Sequence, residues 1–109
     1  LVLKLLLLIL LRNKKGREFM YSTFQYFLRA YCTLSIYEEE MAHLMQQFKE
    51  QEEQETQEKL LQEFAQMQKR EDWKKVRKEA EQYGNRMWTI EEAKVHIGNF
   101  ISILQNKKA

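Results

Sequence analysis

The chain is predicted to be all-α: long amphipathic helices forming a helical hairpin or small bundle with coiled-coil-like stretches. Three observations predict this. There is no proline in 109 residues, and only three glycines occur, Gly16, Gly84 and Gly98. The residues that stop helices and make tight turns are thus nearly missing. Apolar residues recur at three-and-four spacing through most of the chain, the period of one helical face. Helix-start signals of the form Ser/Thr-x-x-Glu/Gln open at Ser22, Ser35 and Thr89, where a hydroxyl and a carboxylate or amide can satisfy two free backbone amides reciprocally. A chain of this length makes one domain at most. It divides into an apolar segment with a basic flank, residues 1–18, and a single helical domain, residues 19–109.

Residues 1–11 read LVLKLLLLILL, apolar except for Lys4. As a helix they extend only about 17 Å, short of the ~30 Å hydrocarbon core. RNKKGR follows directly, as a cytoplasmic or matrix flank does under the positive-inside rule. The segment is expected to touch a membrane or to be the last turns of a span, with burial in the protein core as the alternative.

Residues 19–37 carry seven Phe or Tyr. Phe24, Phe27, Leu28, Tyr31 and Leu34 lie on one helical face, and Ser22 with Gln25 is the expected start. Gln25 and Arg29 make a membrane span expensive here, so a core helix is expected. A further helix or bend is expected at Ser35 and Glu38, followed by the stripe Met41, Leu44, Met45, Phe48. From Lys49 to Lys59 the chain reads KEQEEQETQEK, with no apolar residue. This is expected to be a solvated helix or a hinge that carries little of the core.

The stripe resumes at Leu60, Leu61, Phe64 and Met67, shifts phase, and continues as Trp73, Val76, Ala80, Tyr83 and Met87, a coiled-coil-like seam. Gly84-Asn85 is a helix stop, since both tolerate the left-handed conformation. Thr89 with Glu92 is the clearest start signal, and the helix after it presents Ile90, Ala93, Ile97, Phe100, Ile101 and Leu104 on one face.

The formal net charge is only +2, but charge is blocked along the chain. Residues 38–58 hold eight glutamates against Lys49, and residues 69–78 hold six cations, Lys69, Arg70, Lys74, Lys75, Arg77 and Lys78. Such blocks suggest pairing within the chain or with a partner. Cys32 is the sole cysteine, which excludes an internal disulfide and a cysteine-based zinc site and leaves a buried thiol as the expectation. Glu40 and His43 have the spacing of a di-iron bundle motif, but Glu92 and His96 are spaced by four, so no metal or other cofactor is expected. No phosphate loop or nucleophile elbow is present, and no enzyme activity is expected.

The aromatic helix with Leu28-Arg29 resembles in part the start of small mitochondrial LYR-motif proteins, which are three-helix bundles. Phe24-Gln25 stands where Tyr-Arg is required and the later helices are longer and more charged, so nothing of that family's function is carried over.

The functional expectation is a non-catalytic helical accessory or scaffold subunit in a larger, membrane-associated assembly. The aromatic and methionine content exceeds what a thin bundle hides, which favours an oligomer or hetero-complex. Protein subunits would be met through Phe24, Phe27, Tyr31, Trp73, Val76, Tyr83, Ile97, Ile101 and Leu104. The charged helices would lie on the cytosolic or organelle-matrix side. The alternative is an RNA- or ribosome-associated helical protein using residues 69–78, although Glu71, Asp72 and Glu79 dilute that stretch and Trp73 lies on the apolar seam.

Overall fold

A computed structural model describes residues 20–35 and 37–106. Among the described residues 82% are helical and no strand occurs. Five α-helices follow in order: α1 Ser22–Ala30, α2 Met41–Gln51, α3 Gln54–Arg70, α4 Trp73–Gly84 and α5 Ile90–Gln105, with 3-10 turns at Cys32–Leu34 and Glu38–Glu40. They form a globule of 39 × 34 × 27 Å, so the all-α expectation holds while the helices are shorter than the stripes suggested. The apolar segment 1–11 and its basic flank lie outside the described residues, and no described helix is long and apolar enough to cross a membrane.

The shortest helix is the centre of the molecule. In α1 all residues are buried except half-buried Ser22 and exposed Arg29. A helix covered on nearly every side is mostly apolar, which accounts for the density of aromatics at 19–37, and its buried Gln25 is held by Glu79 of α4. Helix α1 packs on α3 and α4, while α5 packs along α2 and also meets α3 and α4. Phe27 sits edge-on to Phe48 and Phe100 at 5.6 and 5.4 Å between ring centroids, and Phe24 to Phe64 at 5.8 Å. Such edge contacts add to the burial of area itself. Among the described residues most aromatic and methionine side chains are buried, on α1 and on the helices around it. Tyr37, Met87 and Val95 alone remain as large exposed apolar side chains there.

The start of α1 differs from the expected Ser22 box. Its N-cap, Tyr21, makes no side-chain cap. Instead the Glu63 carboxylate of α3 accepts from the backbone amides of Thr23 and Phe24, at 3.0 and 2.8 Å. A carboxylate at a helix start satisfies free amides and matches the helix dipole. Burial pushes Glu63 up to about 7, against the pull of those two amides.

The stretch at 49–59 is a joint. Helix α2 ends at Gln51 and α3 begins at Gln54. Glu52 accepts from the hydroxyls of Tyr26 and Tyr31, both at 2.6 Å. Buried Gln57 donates to the carbonyls of Lys49 and Glu52 at 2.9 and 2.8 Å. The stretch is therefore neither one unbroken helix nor wholly solvated, since Thr56 and Gln57 are buried; polar side chains do here what apolar ones do elsewhere.

The phase shift between Met67 and Trp73 marks a second break. Helix α3 ends on Glu71 in the left-handed region, φ 53°, and Asp72 accepts from the Tyr21 hydroxyl at 2.8 Å. The seam then runs along α4 against α1, with Val76 and Ala80 buried, Trp73 and Tyr83 half-buried, and Met87 beyond the helix end and exposed. Asn85 ends α4 at φ 56°, as the stop signal implied. Gly84 is itself helical, not left-handed, and its reason to be glycine is space: a Cβ there would stand 2.9 Å from Leu28 Cδ2. At Thr89 the capping box forms in full, with Thr89 Oγ1 accepting from the Glu92 amide at 3.1 Å and Glu92 Oε1 accepting from the Thr89 amide at 2.8 Å.

Candidate functional site

The connection from α4 to α5, residues 85–89, has an inner and an outer side. On the inner side Arg86 is buried, 3% exposed. Its Nη1 donates to Glu38 Oε2 at 2.8 Å and its Nη2 to the carbonyls of Cys32, at 3.0 Å, and of Ser35. Trp88 Nε1 donates to Glu38 Oε1 at 2.9 Å, and His96 Nε2 lies 3.1 Å from the same oxygen. The Trp88 ring stacks on His96 at 4.6 Å. One half-exposed carboxylate thus ties together a 3-10 turn, the loop and α5. A buried guanidinium is tolerable only with such partners, and every group here is engaged in holding the fold. Burial pushes the Cys32 thiol up, with Arg86 pulling the other way and Glu38 adding to it; the neutral thiol is a poor nucleophile.

On the outer side the loop forms one wall of a cleft of about 370 Å³. The other wall is α4, contributing Lys74, Arg77, Lys78 and Glu81. Lys74, Arg77 and Lys78 are exposed. Arg77 Nε donates to the Trp88 carbonyl at 2.7 Å, which fixes its guanidinium over the cleft mouth. Met87 is 77% exposed beside them. Positions 74, 77, 78 and 81 lie three and four apart and so share one face of the helix. Like charges four apart on a helix repel by a few tenths of a kcal/mol, and Lys74 and Lys78 stand in that relation with no ion pair to either among the described residues.

The other predicted cations separate from this group. Lys75 pairs with Glu79 on its own helix at 3.4 Å. Lys69 and Arg70 are exposed at the end of α3, Arg70 against the Met20 sulfur. The expected pairing of residues 69–78 with the glutamates at 38–58 is not formed among the described residues; Lys59 pairs with Glu55 and Arg86 with Glu38, both cations lying outside that stretch.

The candidate partner-binding residues are mostly spent inside the chain. Phe24, Phe27, Tyr31, Val76, Ile97 and Leu104 are buried in the core, and Trp73, Tyr83 and Ile101 pack half-buried against it. Trp73, Tyr83 and Ile101 keep part of their surface, while the other six are covered in this conformation. Glu40 accepts from the Ser35 hydroxyl, exposed His43 lies beside Gln47, Glu92 serves the capping box and His96 serves Glu38. Among the described residues no group of three acidic, histidine or cysteine side chains could hold a metal ion.

Sequence periodicity missed Arg86, Glu52, Glu63 and Glu79. Arg86 falls between a helix stop and a helix start, where no pattern assigns a face. Glu63 and Glu79 directly precede Phe64 and Ala80 on their stripes, a flanking position that reads as solvent-exposed. Comparison with family models, with curated proteins and with solved structures finds no match for the chain.

Proposed function

We propose that the chain is a non-catalytic helical accessory or scaffold subunit that receives a protein partner on the outer side of α4 and the 85–89 loop. The observation that carries this is the stripe of Lys74, Arg77 and Lys78, exposed beside Met87 and in no ion pair among the described residues, with Glu81 as the acidic side chain lining the cleft with them. A helix that holds like charges together at a cost gains when a partner neutralises them. The side chains suited to chemistry support the same reading, since Glu38, Glu52, Glu63 and His96 each hold a tyrosine, an amide, a guanidinium or an indole in place. Helix-to-helix contact, coiled-coil-like along α4, is the docking mode proposed. Membrane association through residues 1–18, with the charged helices on the side of the basic flank, completes the proposal and rests on the hydropathy of that segment.

A photo-crosslinking side chain at position 78, in the full chain expressed with its native membranes, tests the docking surface. The expected result is a discrete protein adduct from position 78 and none from position 66, on the far part of α3. Carbonate extraction tests the membrane part: the full chain should stay with the pellet and a chain lacking residues 1–18 should not. Ribonucleic acid trapped at position 78, with no protein adduct, would favour the alternative reading, in which the same three cations meet phosphates.

A further inference from the structure

We infer that the partner element for this cleft is an acidic peptide segment, carboxylates at helical spacing with one apolar side chain among them; this rests on the docking reading above. Lys74 and Lys78 are one turn apart on exposed helix surface. Two carboxylates at the same spacing on a facing element meet both. Arg77 lies between them with its guanidinium fixed by the Trp88 carbonyl at 2.7 Å, so little side-chain freedom is lost when it takes a carboxylate. A planar, pre-positioned guanidinium suits bidentate carboxylate recognition.

Among the described residues no carboxylate pairs with Lys74, Arg77 or Lys78. Of the eight glutamates at 38–58, Glu38 is engaged with Arg86 and His96 and Glu55 with Lys59. The α4 stripe keeps its charge on the surface.

Two features select a peptide over a nucleic acid; Glu81, which lines the same cleft, repels phosphate and carboxylate alike and selects neither. Single-stranded nucleic acid is held by stacking on exposed aromatic faces, but Trp88 is buried against His96 and Trp73 is packed half-buried against the core. Met87, at 77% exposure, places a flexible apolar side chain at the cleft instead, a contact that suits an apolar side chain of a partner.

The probe is a fluorescent helical peptide with glutamates at three-and-four spacing around one leucine. It is compared with the same peptide carrying serine for that leucine and with single-stranded RNA of equal contour length. Anisotropy is read on the full chain at physiological salt. The leucine peptide should bind saturably, weaken with added salt, and lose affinity by about tenfold or more in Lys74→Glu/Lys78→Glu, since charge pairs facing each other become repulsive. Met87→Ser should weaken the leucine peptide and abolish its advantage over the serine one. Circular dichroism should match the wild type in both variants, because all three positions are exposed. Peptide binding that survives the charge reversal, or RNA bound more tightly than the leucine peptide, overturns the inference. If position 78 traps a protein while the acidic peptide does not bind, the partner chemistry is wrong and the docking reading stands; if neither occurs, both fall.

Discussion

Glu71 and Asn85 both end helices in the left-handed region, at φ 53° and 56°. Asparagine adopts that region readily, while a glutamate there is strained by about 1 kcal/mol or more. Glu71 is exposed and makes no ion pair among the described residues. Glu71→Gly should therefore stabilise the chain by about 1 kcal/mol, seen as a higher urea midpoint. The two described glycines behave oppositely under one substitution. A Cβ at Gly98 meets nothing within 4 Å, so Gly98→Ala should stabilise by about 0.5–1 kcal/mol through helix propensity alone. A Cβ at Gly84 would press on fully buried Leu28, 2.9 Å from its Cδ2 and 3.4 Å from its Cβ, so Gly84→Ala should lower the midpoint. At the Arg86 hub, Glu38→Ala leaves a buried guanidinium with carbonyl partners only. The loss should be about 2–3 kcal/mol, below the range for a fully buried pair because Glu38 is half in water.

At the scale of elements, legibility followed the kind of interaction that bounds each helix. Thr89 with Glu92 is a local device, both partners within one turn, and it forms as read. Gly84-Asn85 is local too. The start of α1 is set by Glu63, about forty residues away, and no local pattern announces it. The break at Glu71 left a trace as the phase shift from Met67 to Trp73, but a glutamate is not a recognised stop. The joint after α2 is held by Glu52 and Gln57, polar residues in a polar run, so their burial was invisible to periodicity. The outer cleft shows the same division: its cations stand in the sequence at helical spacing, whereas their partner wall, the 85–89 loop, has no period to read. Substitution separates the buried glutamine from its neighbours in that joint. Gln57→Ala removes two hydrogen bonds from a buried side chain to the half-buried carbonyls of Lys49 and Glu52 and should cost about 1 kcal/mol or more. Gln54→Ala changes only exposed helix surface and should shift stability by a few tenths of a kcal/mol. Equal effects would mean the joint is not closed as described. On α5, Ile97 is fully buried, and Ile97→Asp should cost several kcal/mol, enough to abolish the cooperative melting transition.

The molecule as a whole places a greasy, aromatic helix at its centre and then buries carboxylates around that helix's first turns. Glu63 caps α1. Glu79 of α4 is 4% exposed, accepts from Gln25 Nε2 at 3.1 Å and pairs with Lys75 at 3.4 Å. Burial pushes Glu79 up to about 7, opposed by Gln25 and Lys75, and pushes Glu63 up to about 7 as well. These shifts set the sign of the response to pH. An unfolded glutamate releases its proton near 4.5, so between about 4.5 and 7 the folded chain binds more protons than the unfolded one. Stability then falls as pH rises through that window. The contribution of both groups is fully present below 4.5, is lost progressively up to about 7, and changes little above. The urea midpoint should thus be higher at pH 5 than at pH 7.5, the reverse of the behaviour of chains whose carboxylates are held ionised by salt bridges. Glu79→Gln keeps the shape and a hydrogen-bonding oxygen without the titration, and the double variant Glu63→Gln/Glu79→Gln should flatten the slope between pH 5 and 7.5. A midpoint that rises with pH over that interval, or a slope unchanged in the double variant, would place the source of the pH dependence elsewhere than at the two carboxylates packed around α1.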